Sequence, residues 1–125
     1  MLRRLLLLAV AGSVGAVCRY GLAGIVQHLS GTRFLWGTLS VNLVGCFAAG
    51  LLFGLFESRW AVSAETRIAL LIGFVGAFTT FSAFMLETAE LARDSQWLAA
   101  VGNLLVQNVA GAAMLFLGLV VSRLA

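Results

Sequence analysis

The polar and apolar positions of this chain do not alternate, nor do they form the narrow stripe of a soluble amphipathic helix. They fall into four long apolar runs, 5–29, 35–56, 68–86 and 97–121, joined by short polar connections at 30–34, 57–67 and 87–96. A charge interrupts only the first run, at Arg19. About 20 mostly apolar residues carry an α-helix across a bilayer, and a helix satisfies its own backbone there. The pattern predicts an all-α integral membrane protein, a single four-helix domain over 1–125 whose third helix extends to about residue 92.

Composition supports this environment. Hydrophobic residues make up 62% of the chain and charged residues 10%, against about 25% charge in a soluble domain. So little charge cannot cover a water-facing surface. The net charge of +3 comes from eight arginines, no lysine and five acids. The arginines are scattered, without the basic stripe or motif of a nucleic-acid partner. Most flank the apolar runs, where they anchor helix ends.

Four spans put both termini on one side. That side carries Arg3, Arg4, Arg59, Arg67 and Arg123; the other carries Arg33, Arg93 and, near its end of the first span, Arg19. This bias is mild, so the chain encodes no strong single orientation and is expected to insert both ways. The N-terminal arginines and leucine run imitate a signal peptide. However, no lipoprotein cleavage site precedes Cys18, and the run is read as the first span.

No catalytic set is visible. There is no nucleophile elbow, phosphate loop or metal cluster, and His28 has no evident partner, so an enzyme is not expected. Cys18 and Cys46 lie in apolar runs with no CxxC. They are expected to be small buried residues rather than a disulfide or metal site.

The informative residues are polar ones at membrane depth, where an unsatisfied group costs several kcal/mol. In the second run, Gly37-Thr38-Leu39-Ser40-Val41-Asn42 places Thr38 and Asn42 four apart on one helix face. Asn42 is either interhelical glue or a donor beside an anion path. In the third run, Gly73-Phe74-Val75-Gly76-Ala77-Phe78-Thr79-Thr80-Phe81-Ser82-Ala83-Phe84 is a poor continuous helix. A break is expected near 76–79, with Thr79 or Thr80 capping a second half-helix. Free carbonyls ending the first half suit a cation such as Na⁺, and free N–H groups opening the second favour an anion. The other reading of the break is a packing kink with no ion. Phe81 and Phe84, three apart beside Ser82, can present positive ring edges to a small anion, although such pairs are usually core or lipid-facing.

In the last run Asn103, Gln107 and Gly111 are spaced by four, with Asn108 adjacent. This stripe faces something other than lipid, a wet path or another helix. Arg19 either snorkels to the interface or draws anions to a vestibule. Glu87 is expected at the opposite interface, in a salt bridge or interface role. Gly50 and Gly54 have the spacing that lets helices approach closely, within one protomer or between two.

Together these runs resemble the Fluc (CrcB-type) family of fluoride channels over nearly the whole chain. The resemblance is carried by Gly15-Ala16 through Arg19-Tyr20, by Gly37-Thr38 with Val41-Asn42, by the stretch from Gly73 to Phe84 centred on Thr79-Thr80-Phe81-Ser82, and by the glycine-bearing last span. It implies an antiparallel, dual-topology homodimer with two narrow pores in the cell membrane. It implies a structural Na⁺ at the dimer centre, held by the backbone carbonyls of Gly76 and Thr79. Phe81 and Phe84 would line each pore, with Asn42 as a neighbouring donor and Ser82, Thr38 and Thr80 in the polar track. Arg19, Asn103 and Gln107 are further pore or vestibule candidates. The implied activity is passive, selective F⁻ export that lowers cytoplasmic fluoride. The sequence departs from the pattern at Ala83, where relatives often have Thr, and at Gly111 and Leu115, where relatives often have a Ser and a Thr.

Two other readings fit a small four-span chain. A small multidrug-type dual-topology transporter relies on an acid within its first span, and here that span holds only Arg19. An exchanger needs a titratable group at depth, and no run has an acid in its middle. A scaffold subunit needs packing surfaces but no mid-membrane break, so the 76–82 run counts against it. Ion-selective flux, proton-coupled uptake or neither would separate the three.

Overall fold

The computed structural model describes residues 1–32, 35–58 and 60–125; Arg33 and Arg59, counted in the charge balance, and Phe34 lie outside it. The elements are α1 (Leu2–Ser30), α2 (Trp36–Ser58), the single turn α3 (Ala64–Arg67), a π-helical segment (Ile68–Val75), α4 (Gly76–Phe78), α5 (Phe81–Arg93) and α6 (Trp97–Leu124). Four stretches are long and apolar enough to cross a membrane: Leu2–Ser30, Trp36–Ser58, Ala64–Arg93 and Trp97–Leu124. The shortest has 23 residues, about 35 Å at the helical rise.

The tightest packing joins α2 to α6. A Cβ on Gly50 would run into the Leu115 carbonyl, and one on Gly118 into the Phe47 carbonyl and the Leu51 N–H. A Cβ on Gly54 would collide with the Ser122 hydroxyl. The glycine spacing at 50 and 54 therefore serves packing within one protomer. On the other side of the bundle, α1 lies against the π segment. Gly15, the one buried residue of α1, sits under the Phe74 carbonyl.

The core proper is thin. Val41, Leu39, Phe56, Phe78 and Phe84 are buried, while Val17 is 71% exposed and Leu98 89%. An apolar outer surface is what lipid requires, because lipid tails are as apolar as leucine. The same reason corrects the expectation for the cysteines. Cys18 is exposed and Cys46 only half-buried, both as free thiols. In a membrane helix an apolar neighbourhood in sequence does not distinguish a core position from a lipid-facing one.

The helix ends are tied by polar contacts. Gly31, at φ 60°, ends α1 in the left-handed region, where glycine carries no Cβ penalty. Gln27 spans the α1–α2 connection: its amide donates to the Thr32 carbonyl (2.8 Å) and its Oε1 accepts from Gly37 N (3.3 Å). Ser63 caps α3 by accepting from Thr66 N. Glu65 pairs with Arg3 (3.5 Å) and Arg4 (3.3 Å), joining the start of α1 to α3. Arg67 donates to the Phe56 carbonyl and lies over the Phe56 ring, 5.8 Å from its centre.

Candidate ion site

The third stretch changes helical character twice. In the π segment hydrogen bonds reach five residues back, and the Gly76 N–H accordingly meets the Leu71 carbonyl. α4 then ends at Phe78. Thr79 (φ −78°, ψ 158°) and Thr80 (φ −147°, ψ 112°) are extended, and α5 starts at Phe81. The local chemistry explains the exit. Thr79 and Thr80 are β-branched, which lowers helix propensity. The Thr79 hydroxyl also donates to the Val75 carbonyl (3.0 Å), competing with the backbone. Thr80 caps α5, its hydroxyl accepting from Ala83 N (3.3 Å).

Extended residues inside a bundle need partners for their backbone groups. Asn42 on α2 supplies both for Thr80. Its Oδ1 accepts from Thr80 N (2.8 Å), and its Nδ2 donates to the Thr80 carbonyl (3.0 Å). In a continuous helix Thr80 N would bond to Gly76, so the Gly76 carbonyl loses that donor. The second Asn42 amide hydrogen goes to Gln107 Oε1 on α6 (3.0 Å). Asn42 thus links three elements, and both of its N–H groups are engaged.

Two cavities flank this junction, and Thr80 lines both. The larger, about 510 Å³, is also lined by Arg19, Tyr20, Thr38, Ser82 and Ala83. The smaller, about 230 Å³, lies among Asn42, Cys46, Phe81, Phe84, Gln107 and Asn108. The two phenylalanines meet edge to face, with ring centres 5.5 Å apart and planes at 76°. Phe84 is 3% exposed; Phe81 is 72% exposed and stands at the protomer surface. At that interplanar angle an edge of one ring, the electropositive part, meets the face of the other.

The α6 stripe turns inward. Asn103 and Gln107 are buried, and Gly111 with them. Gln107 joins the Asn42 network. Asn103 joins another: its amide donates to Thr88 Oγ1 (2.9 Å), and Thr88 donates to the Phe84 carbonyl (2.8 Å). Asn103 lines neither of the two cavities. Gly76 is exposed and Thr79 half-buried, with Thr79 on the smaller cavity.

Glu87 is not at the interface opposite Arg19. It accepts a hydrogen bond from Thr38, which shares the larger cavity with Arg19. The first and third spans run in the same direction, so their C-terminal parts reach the same side. Thr88 is not among the residues that the sequence pattern picks out, although its four-residue spacing from Phe84 is a signal for a hydroxyl back-bond. Cys46, expected only to pack, faces the smaller cavity, and its Sγ lies 3.5 Å from where a Cβ on Gly111 would stand.

Fold and site together define a multi-pass protein of the cell membrane, with two cavities meeting at Thr80. The chain belongs to the CrcB family, whose model, described as CrcB-like protein, Camphor Resistance (CrcB), matches residues 6–119. It is 52% identical over 124 residues, 99% of both chains, to the fluoride-specific ion channel FluC of Desulforapulum autotrophicum. It is 44% identical over 124 residues, again 99% of both, to the protein of that name from Nitrosococcus oceani. The corresponding Magnetococcus marinus protein is 47% identical over 93% of this chain and 94% of its own length.

Proposed function

We propose that the protein is a fluoride-selective channel that lets F⁻ leave the cell passively. The observation that carries this reading is the junction at Thr80, where extended backbone, a helix N-terminus and two cavities meet in a chain of this family. Irregular backbone at membrane depth is tolerated where it lines a cavity, and a half-helix N-terminus favours an anion. The interruption at Thr79 and Thr80 then lies near mid-membrane. Fluoride is small and strongly hydrated, so a pore must replace its water with closely placed donors. Phe81 and Phe84 offer ring edges. Thr38, Thr80 and Ser82 offer hydroxyls, and Asn42 stands between them. Arg19 raises the local anion concentration at the larger cavity.

The working unit in this reading is an antiparallel homodimer of oppositely inserted copies. The mild arginine bias supports dual insertion. A second copy would cover Phe81, which is 72% exposed in the protomer and stands on the smaller cavity. A Na⁺ at the dimer centre would be held by the carbonyls of Gly76 and Thr79. The donor set fits: both are hard oxygen ligands, and Gly76 lacks its usual helical donor. The ion would supply fixed positive charge that holds the two breaks together. No acid lies in the first span to support a proton-coupled exchanger.

The test is efflux from liposomes holding the purified protein, read with a fluoride electrode and with a K⁺ ionophore to dissipate charge. Rapid F⁻ release without Cl⁻ release from parallel vesicles is the expected result. Folded dimer that releases no F⁻ would overturn the reading.

A further inference from the structure

Helix α5 carries both phenylalanines of the junction, yet little of it is held inside the protomer. Of its 13 residues only Phe84 and Thr88 are buried. They are one turn apart and so share a face. The Thr88 hydroxyl donates to the Phe84 carbonyl (2.8 Å). That uses its single hydrogen, so it must accept from Asn103 Nδ2 on α6 (2.9 Å). Its neighbour Glu87 is held from another direction, by the Thr38 hydroxyl on α2. Successive residues of a helix point about 100° apart, so α2 and α6 grip α5 at one level from two sides. Two such grips fix the roll of the helix about its own axis. That roll decides where the ring edges of Phe81 and Phe84 point.

Packing alone does not account for the α6 grip. Asn103 is 1% exposed, and its Oδ1 is a fully buried acceptor with no hydrogen-bond partner among the described residues. Stranding such an acceptor is costly, and apolar side chains of the same shape would fill the place with little or no loss of stability. Asn103 also lines neither cavity. Its amide is placed to hold Thr88 rather than to meet an ion.

We propose that Thr88 and Asn103 are positioning residues of the channel: they set the roll of α5 and, through the Phe84 carbonyl, the orientation of the Phe81 and Phe84 rings that line the smaller cavity. Neither touches the ion. The two rings meet edge to face with planes at 76°. A roll of α5 turns both together, moving an electropositive edge off the cavity and bringing a negative face toward it. Phe81 is strongly exposed in the protomer, so its own chain holds it chiefly through α5.

This inference rests on the anion-channel reading, and its test separates the two. The Phe84 ring is labelled as para-fluorophenylalanine and followed by fluorine NMR in nanodiscs. Unlabelled protein is assayed for F⁻ efflux per folded dimer. Thr88→Val keeps the side-chain shape and loses the hydroxyl. It should move or split the Phe84 resonance and slow efflux about fivefold, less than a 1 Å misplacement can cost at a reacting centre. Thr88→Ser keeps the hydroxyl and should match the wild type in both readouts. Thr88→Val combined with Asn103→Leu should melt higher than Thr88→Val alone, yet show the same altered resonance and slow efflux, because the stranded amide is gone and the grip is not restored. A pair that only stabilises the fold gives the opposite result: Thr88→Val melts lower, while its folded fraction keeps the wild-type resonance and flux. That result overturns the proposal and leaves the channel intact. So does a change in resonance or in flux without the other, and so does a Thr88→Ser protein as defective as Thr88→Val. If the wild type does not conduct, the channel reading falls. The resonance then decides the grip by itself, a moved line in Thr88→Val supporting it and an unmoved one overturning it. Should Thr88→Val fail to fold, Asn103→Leu and the double variant carry the same readouts.

Discussion

Two regions of this molecule solve the problem of the bilayer in opposite ways. Along the α2–α6 seam the backbones touch at Gly50 and Gly118, and the helices are regular. Around Thr79 and Thr80 the backbone is irregular; Asn42 on α2 takes over the hydrogen bonding of the Thr80 backbone, and Gln107 on α6 bonds to Asn42 in turn. The seam gains close contact by deleting side chains. The junction gains room by spending them: Asn42 occupies the place of a helical neighbour and leaves cavities on either side. Both are cut from the same two helices. A seam that cannot shift gives α2 and α6 fixed positions, and fixed positions let Asn42 and Gln107 meet at 3.0 Å.

The comparison breaks most severely at the seam. Gly118→Val would drive a side chain into the Phe47 carbonyl and the Leu51 N–H. Backbone atoms of a packed helix cannot step aside, so the expected cost is about 3 kcal/mol or more. It would be read as loss of monodisperse protein in detergent. Recovery of a normal melting curve would show that the seam can open.

At the junction the larger effect should fall on conduction instead. Phe81→Ile removes a ring that is 72% exposed in the protomer, so stability within a protomer should change by less than about 1 kcal/mol. F⁻ efflux should drop by at least about tenfold, the equivalent of roughly 1.4 kcal/mol. Wild-type flux would remove Phe81 from the pore.

A smaller and more selective effect is expected at Thr88. Thr88→Val strips the acceptor from Asn103 and the donor from the Phe84 carbonyl. Leaving a buried amide unpaired costs about 1–3 kcal/mol. Adding Asn103→Leu should recover part of that loss, because it removes the stranded partner. Strict additivity of the two in thermal unfolding would show that the pair is not coupled.

The smallest effect is predicted for Gly102→Ala. A Cβ there meets nothing within 4 Å, so the glycine serves neither seam nor junction. Stability should stay within about 0.5 kcal/mol or rise slightly with helix propensity. A clear loss would place a further packing surface against α6.

Much of the junction is readable in the chain itself. The run Gly76-Ala77-Phe78-Thr79-Thr80 is hard to keep helical, and a β-branched pair with hydroxyls is a natural cap. The spacing of Asn103, Gln107 and Gly111 likewise puts them on one face. What the run does not reveal is which partner each polar group takes. Asn42 stands 38 residues from Thr80 and 65 from Gln107. No local pattern records that an amide on one helix completes the backbone of another. The bond between Thr38 and Glu87 is hidden in the same way, and so is the role of Gln27 at the α1–α2 connection.

The sequence by itself determined that this chain lives in a membrane and crosses it with apolar helices. That information is local, because about 20 consecutive apolar residues and a self-satisfied backbone are enough to specify a span. It also determined which residue types stand at depth. Tertiary structure alone decided which apolar residues meet protein and which meet lipid. Leucine or cysteine is equally at home in either, so Cys18 could turn outward against expectation. It alone decided the direction of each buried amide, too. An isolated carboxamide has two nearly equivalent orientations, and only neighbours brought from other helices choose between them.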